Sequence, residues 1–254
     1  MTNNSKEISH LTSPEFDGYV RNGHISKIIL PIASLEQHGP HLPLSTDTTI
    51  SEYIAKRIAE RCPQACLMPA IPLGCSAEHL GFAGTISLEA ETVSRLLLEI
   101  SASLRACGLR KLFIINGHGG NRSTLESAMA SAKQSQPDMH LYTFTIIDVA
   151  KEKFAELRKS ARRLVGHADE METSMMLAIQ PDVVDMSKAV MTEPNLPAPL
   201  SFEPEDLTGV SFSWTTKQLS ETGVIGDPRH ATAETGRNLI EFVVAKISAK
   251  INQL

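Results

Sequence analysis

Lys111-Leu112-Phe113-Ile114-Ile115-Asn116-Gly117-His118-Gly119-Gly120-Asn121 couples an apolar run to a glycine-rich turn. The run is short, branched and aromatic, as a strand covered on both faces requires. A helix is expected to follow the turn as far as about Gln136, and a strand over Leu141–Ile147. Strand, helix and strand in succession predict an α/β fold, with a mostly parallel central sheet and helices on both faces. Such sheets bind ligands at the carboxyl ends of their strands. His118 stands at one such end.

Upstream, residues 27–34 form the other strand-like run, centred on Ile28-Ile29-Leu30-Pro31-Ile32. It opens into Leu35-Glu36-Gln37-His38-Gly39-Pro40-His41-Leu42-Pro43-Leu44-Ser45-Thr46-Asp47. Ionisable groups at the mouth of a buried strand are costly unless paired or bound to a metal. Glu36 and His38 stand two apart, so an extended chain points both to one side. Asp47 begins a segment to Arg61 with Ile50, Tyr53, Ile54 and Ile58 at helical spacing. Capping that helix and binding a metal both explain Asp47, and a carboxylate has an oxygen for each. Two carboxylates and an imidazole suit a divalent metal with mixed nitrogen and oxygen ligands; the plainer reading is a polar loop.

Ser13-Pro14 marks a helix start and Cys66 to Pro72 a short strand. The stretch Gly74 to Thr85 carries three glycines and reads as a long loop, which compact domains keep mostly for function. It contains His79. Ser87 to Cys107 is amphipathic, with Gly108 as its C-cap. Downstream, Lys151 to Arg163 reads as a charged helix. Gly166-His167-Ala168-Asp169-Glu170-Met171-Glu172 opens another, running to about Ile179 ahead of Pro181. Glu172 shares the face of Met175, Met176 and Ile179, whereas Asp169 and Glu170 suit a solvated first turn. A carboxylate on a buried face wants a partner: an arginine, a metal or a substrate. Residues 186–222 are proline-rich and aperiodic and hold Trp214, which reads as a long irregular excursion over the site or at a subunit contact; Thr232 to Gln253 is a closing helix. Nothing divides the 254 residues, so a single domain over 1–254 is expected.

Charge narrows the function classes. Lys and Arg number 24 against 29 Asp and Glu, a net charge of -5, which argues against nucleic acid or an anionic membrane as partner. No apolar run has transmembrane length and the start is polar, so a cytoplasmic enzyme of small molecules is expected. Cys62, Cys66, Cys75 and Cys107 lack paired spacing and read as reduced thiols.

The Asn116–Asn121 turn allows two readings. It presents His118 at a strand end, or it cradles a phosphate at a helix start. It has neither the lysine nor the spacing of the common nucleotide loops. Taken together, the Glu36–Asp47 stretch, the Asn116–Asn121 turn, His167 with Glu172-Thr173-Ser174, and the Gly84-Thr85-Ile86-Ser87 and Gly226-Asp227-Pro228 segments resemble the creatininase family over about residues 27–245. The resemblance implies a creatininase-like three-layer sandwich and a metal-dependent amidohydrolase. Its cofactors would be two divalent ions, zinc foremost, iron or manganese otherwise. Glu36, Asp47 and His118 would hold one metal, and His38 and Asp47 the other. The type member takes a further glutamate from the loop after the histidine, where this chain has Gly120, so Glu172 is the expected substitute. His167 would move the proton, alongside Glu172, and the Gly119–Asn121 N–H groups would face the oxyanion. His41 and His79 would be supporting or substrate contacts, or ordinary loop residues. Tryptophans that flank the type member's pocket are absent near Ile146, Ile147 and Arg163. This argues against creatinine itself as the substrate. From the metal cluster, the expected bond is a non-peptide C–N bond of a cyclic amide or formamide, with Arg122 or Arg163 available to an anionic substrate. Other members cleave formamides of pyrimidine nucleotides, trim a peptide precursor or open an oxidised inositol ring. A non-catalytic phosphate-binding role is the alternative from a different class. Relatives are commonly hexamers, so a homo-oligomer is expected.

Overall fold

The structure, a computed structural model, describes residues 6–161, 164–201, 203–207, 209 and 212–254. Strands β1 (Lys27–Ile32), β2 (Ala65–Leu67), β3 (Lys111–Asn116) and β4 (His140–Thr145) form one sheet in the order β2-β1-β3-β4. Every pairing is parallel, with Ile32 opposite Asn116 and Asn116 opposite Thr145. The helices are α1 (Ser13–Arg21), α2 (Thr46–Arg61), α3 (Ala90–Ala106), α4 (Arg122–Ser135), α5 (Ile146–Leu157), α6 (Glu170–Ile179), α7 (Pro204–Leu207), α8 (Thr216–Leu219) and α9 (Ala233–Gln253).

Side chains alternate across the sheet, as the strand period of two demands. Ile29, Phe113 and Ile115 enter one core with residues of α2, α5, α6 and α9. Ile28, Leu30, Ile32, Leu112 and Ile114 enter the other with residues of α1, α3 and α4. Both cores are fully apolar at their centres, so the expected three-layer α/β arrangement is observed.

The chain leaves β1 through α2 to β2 and leaves β3 through α4 to β4, in opposite directions across the sheet. The loops after β1 and β3 therefore part at a topological switch point, where open α/β sheets form their clefts. Sequence spacing alone did not show that these strands are neighbours.

Several boundaries differ from expectation. The Cys66–Pro72 strand shrinks to Ala65–Leu67, with one isolated bridge from Ile71 to Ile32; Pro69 and Pro72 have no N–H to offer a ladder. Ile146 and Ile147, β-branched and strand-like, instead begin α5, which ends at Leu157 rather than Arg163. Arg163 itself lies outside the described residues. Among the described residues, no helix is long and apolar enough to cross a membrane.

Candidate metal centre

Four segments deliver the site. The β1 exit brings Glu36 and His38, and the first turn of α2 brings Asp47. The β3 exit brings His118, and α6 with its preceding loop brings Glu172 and His167. Asp47 is not the helix cap; Ser45 holds that position, and Asp47 faces inward. Its Oδ2 accepts from Ser34 Oγ at 2.6 Å and its Oδ1 lies 3.1 Å from His38 Nε2. Glu36, His38, Asp47, His118 and Glu172 are all nearly inaccessible to solvent.

Among the described residues, three ligand sets bring their atoms within 4.8 Å of one another: Glu36 with Asp47 and His118, His38 with Asp47 and Glu172, and Glu36 with His38 and His167. Asp47 belongs to two of them. Its two oxygens divide between the groups, Oδ2 standing 3.2 Å from His118 Nδ1 and Oδ1 beside His38.

The outer nitrogens of the three histidines fix their tautomers. His118 Nε2 donates to the Cys75 carbonyl at 2.9 Å, His38 Nδ1 to the Glu36 carbonyl at 3.2 Å, and His167 Nε2 to the Gln37 carbonyl at 2.8 Å. Carbonyls only accept, so each outer nitrogen carries a proton, and each inner nitrogen offers a lone pair when the ring is neutral. His118 Nδ1 points that lone pair at Glu36 Oε2, 3.2 Å away, and at Asp47. His38 Nε2 points its own at Asp47 and at Glu172 Oε2, 4.0 Å away. Both Glu36 carboxylate oxygens are buried without a hydrogen-bond partner. Lone pairs converging on lone pairs in a buried pocket are repulsive unless a cation stands between them. The donor set of carboxylate oxygens and imidazole nitrogens fits a divalent ion.

The electrostatics agree. Burial opposes a charge on His38, yet Asp47, Glu172 and Glu36 raise it to about 10, a proton taking the place of a cation. Burial lifts Glu172 to about 8 against the pull of His38. Burial also holds His167 well below the usual imidazole range, with His38 and His79 adding to the effect, so it is neutral.

A cavity of about 340 Å³ opens over this centre. Asp47, His118, His167 and Glu172 line its floor, with Gly119 and Gly120 beside them. Arg122, Lys151, Glu78, His79 and Trp214 also line it. His41 does not: its Nε2 lies 2.9 Å from Thr173 Oγ1, and burial then His38 lower it to about 4. His79 is a true neighbour of the centre, with Nε2 3.4 Å from Glu36 Oε1 and its ring 4.3 Å from that of His167.

Two expectations need correction. Asp169 and Glu170 are buried, not solvated. Asp169 caps α6 by accepting from Met171 N, and Glu170 accepts the backbone N–H groups of Lys159 and Ser160 at 2.8 Å each. The first turn of α6 lies inside the core, so its acids serve backbone donors. The pocket also has a tryptophan after all: Trp214 arrives from the proline-rich excursion, far in sequence from the positions considered. Glu78 and Lys151 were equally invisible, because neither carries a local pattern.

Gly120 acquires a steric meaning. A Cβ there would fall 2.4 Å from the Cys75 carbonyl and from His118 Nε2, and 2.6 Å from Glu78 Oε1. No side chain fits at 120 without movement, and the carboxylate facing His38 comes from α6 instead.

Comparison with known proteins converges on this arrangement. The Creatininase family model, described as creatinine amidohydrolase, matches residues 9–251. The mycofactocin precursor peptide peptidase of Mycobacterium tuberculosis is 35% identical over 226 residues, spanning 85% of this chain and 81% of that protein. The creatinine amidohydrolase of Pseudomonas putida is 26% identical over 260 residues, spanning 97% and 96%. A solved structure of the manganese form of creatininase superposes with a TM-score of 0.85 at 25% identity, over 98% of both chains. A family model matching nearly the whole chain, on a fold and an inward-facing donor cluster of this kind, settles the assignment: the chain belongs to the creatininase family.

Proposed function

We propose that the protein is a metal-dependent amidohydrolase with a two-metal centre. Glu36, Asp47 and His118 would hold one divalent ion, and His38, Asp47 and Glu172 the other. The supporting observation is the inward nitrogens of His38 and His118, their tautomers set by the Glu36 and Cys75 carbonyls, around a Glu36 carboxylate whose two buried oxygens have no hydrogen-bond partner. When bound, two such ions lower the pKa of a water to near neutrality and polarise the carbonyl under attack. Zinc is the first candidate, with manganese or iron as alternatives.

The chain's own residues supply the rest. His167 is neutral, its Nδ1 faces Glu36 Oε1 at 3.8 Å, and it lines the cavity. It takes the proton from the attacking water and returns it to the leaving nitrogen. The Gly119 and Gly120 backbone stands beside the floor, where N–H groups stabilise a developing oxyanion. Burial keeps bulk water from the ligand atoms.

For the substrate, a cyclic amide or formamide is one reading. A short peptide is the second, favoured by the 35% identical relative named for a precursor peptide. Loading purified protein with zinc or manganese and assaying cyclic amides, formamides and short peptides tests the activity. Metal-dependent release of an amine from any of them supports it. A folded protein that takes up no metal contradicts it. The competing phosphate-binding reading requires His118→Ala to retain ligand affinity, whereas the hydrolase reading requires that variant to lose metal.

A further inference from the structure

The cavity has a cationic wall that the metal centre does not use. Arg122, at the start of α4, donates from Nε and Nη2 to Asp148 Oδ2 and Oδ1 at 2.8 and 3.0 Å. Lys151 Nζ donates to the same Oδ1 at 2.8 Å. Two cations on one carboxylate leave one positive charge in excess. Arg122 and Lys151 line the cavity, while Asp148 is not among its lining residues, so the positive side of the triad faces the cavity.

Position matters as much as sign. Asp148 engages two nitrogens of the guanidinium and not Nη1. A Cβ built on Gly119 would stand 3.4 Å from that Nη1, so the group rests against the residue next to His118. The cavity's outer carboxylate, Glu78, is turned toward His118 Nε2 at 3.6 Å. Ile147, Val165, Ile225 and Trp214 supply the apolar walls. A planar guanidinium fork held in place by a carboxylate is suited to binding a second carboxylate.

We propose that Arg122 and Lys151, fixed by Asp148, form an anion subsite. It selects amide substrates that carry a carboxylate close to the scissile C–N bond, as in an N-acyl amino acid or the free end of a short peptide. The proposal rests on the amidohydrolase reading for the position of the amide, but its binding arm does not depend on turnover.

The test uses matched pairs: N-formyl and N-acetyl amino acids and dipeptides, each as the free acid and as the C-terminal carboxamide. Cleavage and calorimetric binding are both measured on metal-loaded protein. The acid should be favoured by roughly 10- to 100-fold, the range of a charge-assisted hydrogen bond. Arg122→Gln should collapse that ratio toward unity through KM rather than kcat, Lys151→Gln should lower it less, and Arg122→Lys should restore part of it. Equal handling of acid and carboxamide, no binding of either, or a ratio unchanged in Arg122→Gln overturns the subsite. Acid-selective binding with no cleavage of any pair supports the subsite and overturns the hydrolase reading instead.

Discussion

Glu172 and His167 lie five residues apart on one segment and do different chemistry because their surroundings differ. Glu172 Oε2 accepts the Ala168 N–H at 2.6 Å and faces His38; His167 is held by a carbonyl and faces the cavity. Glu172→Gln keeps size and shape but removes the charge, so metal content should fall from about two equivalents to about one. Elemental analysis decides it, and an unchanged count would remove Glu172 from the ligand set. His167→Ala should retain both ions while kcat drops by about 10²- to 10⁴-fold, the span of a lost general acid–base group. Loss of metal in that variant would show instead that the Glu36, His38 and His167 set is a ligand group. At this scale the sequence was informative where ionisable residues stood at buried strand ends. Glu36, His38, Asp47 and Glu172 stood out because their cost demanded a partner, and His118 because a glycine-rich turn presents it at a strand end; the fold brings all five together. Glu78 and Lys151 did not, since only the fold brings them to the cavity, whereas Trp214 belongs to the excursion expected over the site or at a subunit contact.

The elements set how firmly those side chains are held. Helix α9 packs along α6 with Gly236 against the α6 backbone: a Cβ there would lie 1.8 Å from the Ser174 carbonyl oxygen. Gly236→Ala must push α9 away and should cost about 1–3 kcal/mol, the usual penalty of overpacking. Thermal unfolding measures it, and an unchanged Tm would show that the contact is soft. Because α6 carries Glu172, the same variant should weaken metal retention under chelator challenge. Periodicity located most helices to within a few residues, and Thr232–Gln253 was readable from its stripe, whereas the first helix is capped by Thr12, one residue before Ser13. It failed at Ile146-Ile147, where β-branched residues suggest strand but the chain has already passed the sheet edge and turned. It failed also at Asp169-Glu170, where a helix start implies solvent unless tertiary packing buries it.

Over the whole molecule, the β2-β1-β3-β4 order makes the site possible, because it places the β1 and β3 exits side by side. Alternation of strand and helix foretold the layers; the neighbour relation of β1 and β3 came only from long-range pairing. A centre built from four segments should tie metal to global stability. At a free metal concentration of 100 times Kd each site adds about 2.7 kcal/mol. At about 2–4 °C per kcal/mol for a chain near this size, one site raises Tm by roughly 5–10 °C. Chelation should reverse that rise, and a Tm indifferent to chelator would place any bound metal outside the fold. The most direct measurement is amide hydrolysis followed while metal-free protein is titrated with zinc or manganese. No turnover is expected without metal, and activity should plateau at about two equivalents per chain; a plateau at one equivalent, or turnover in the metal-free protein, would contradict a two-metal centre.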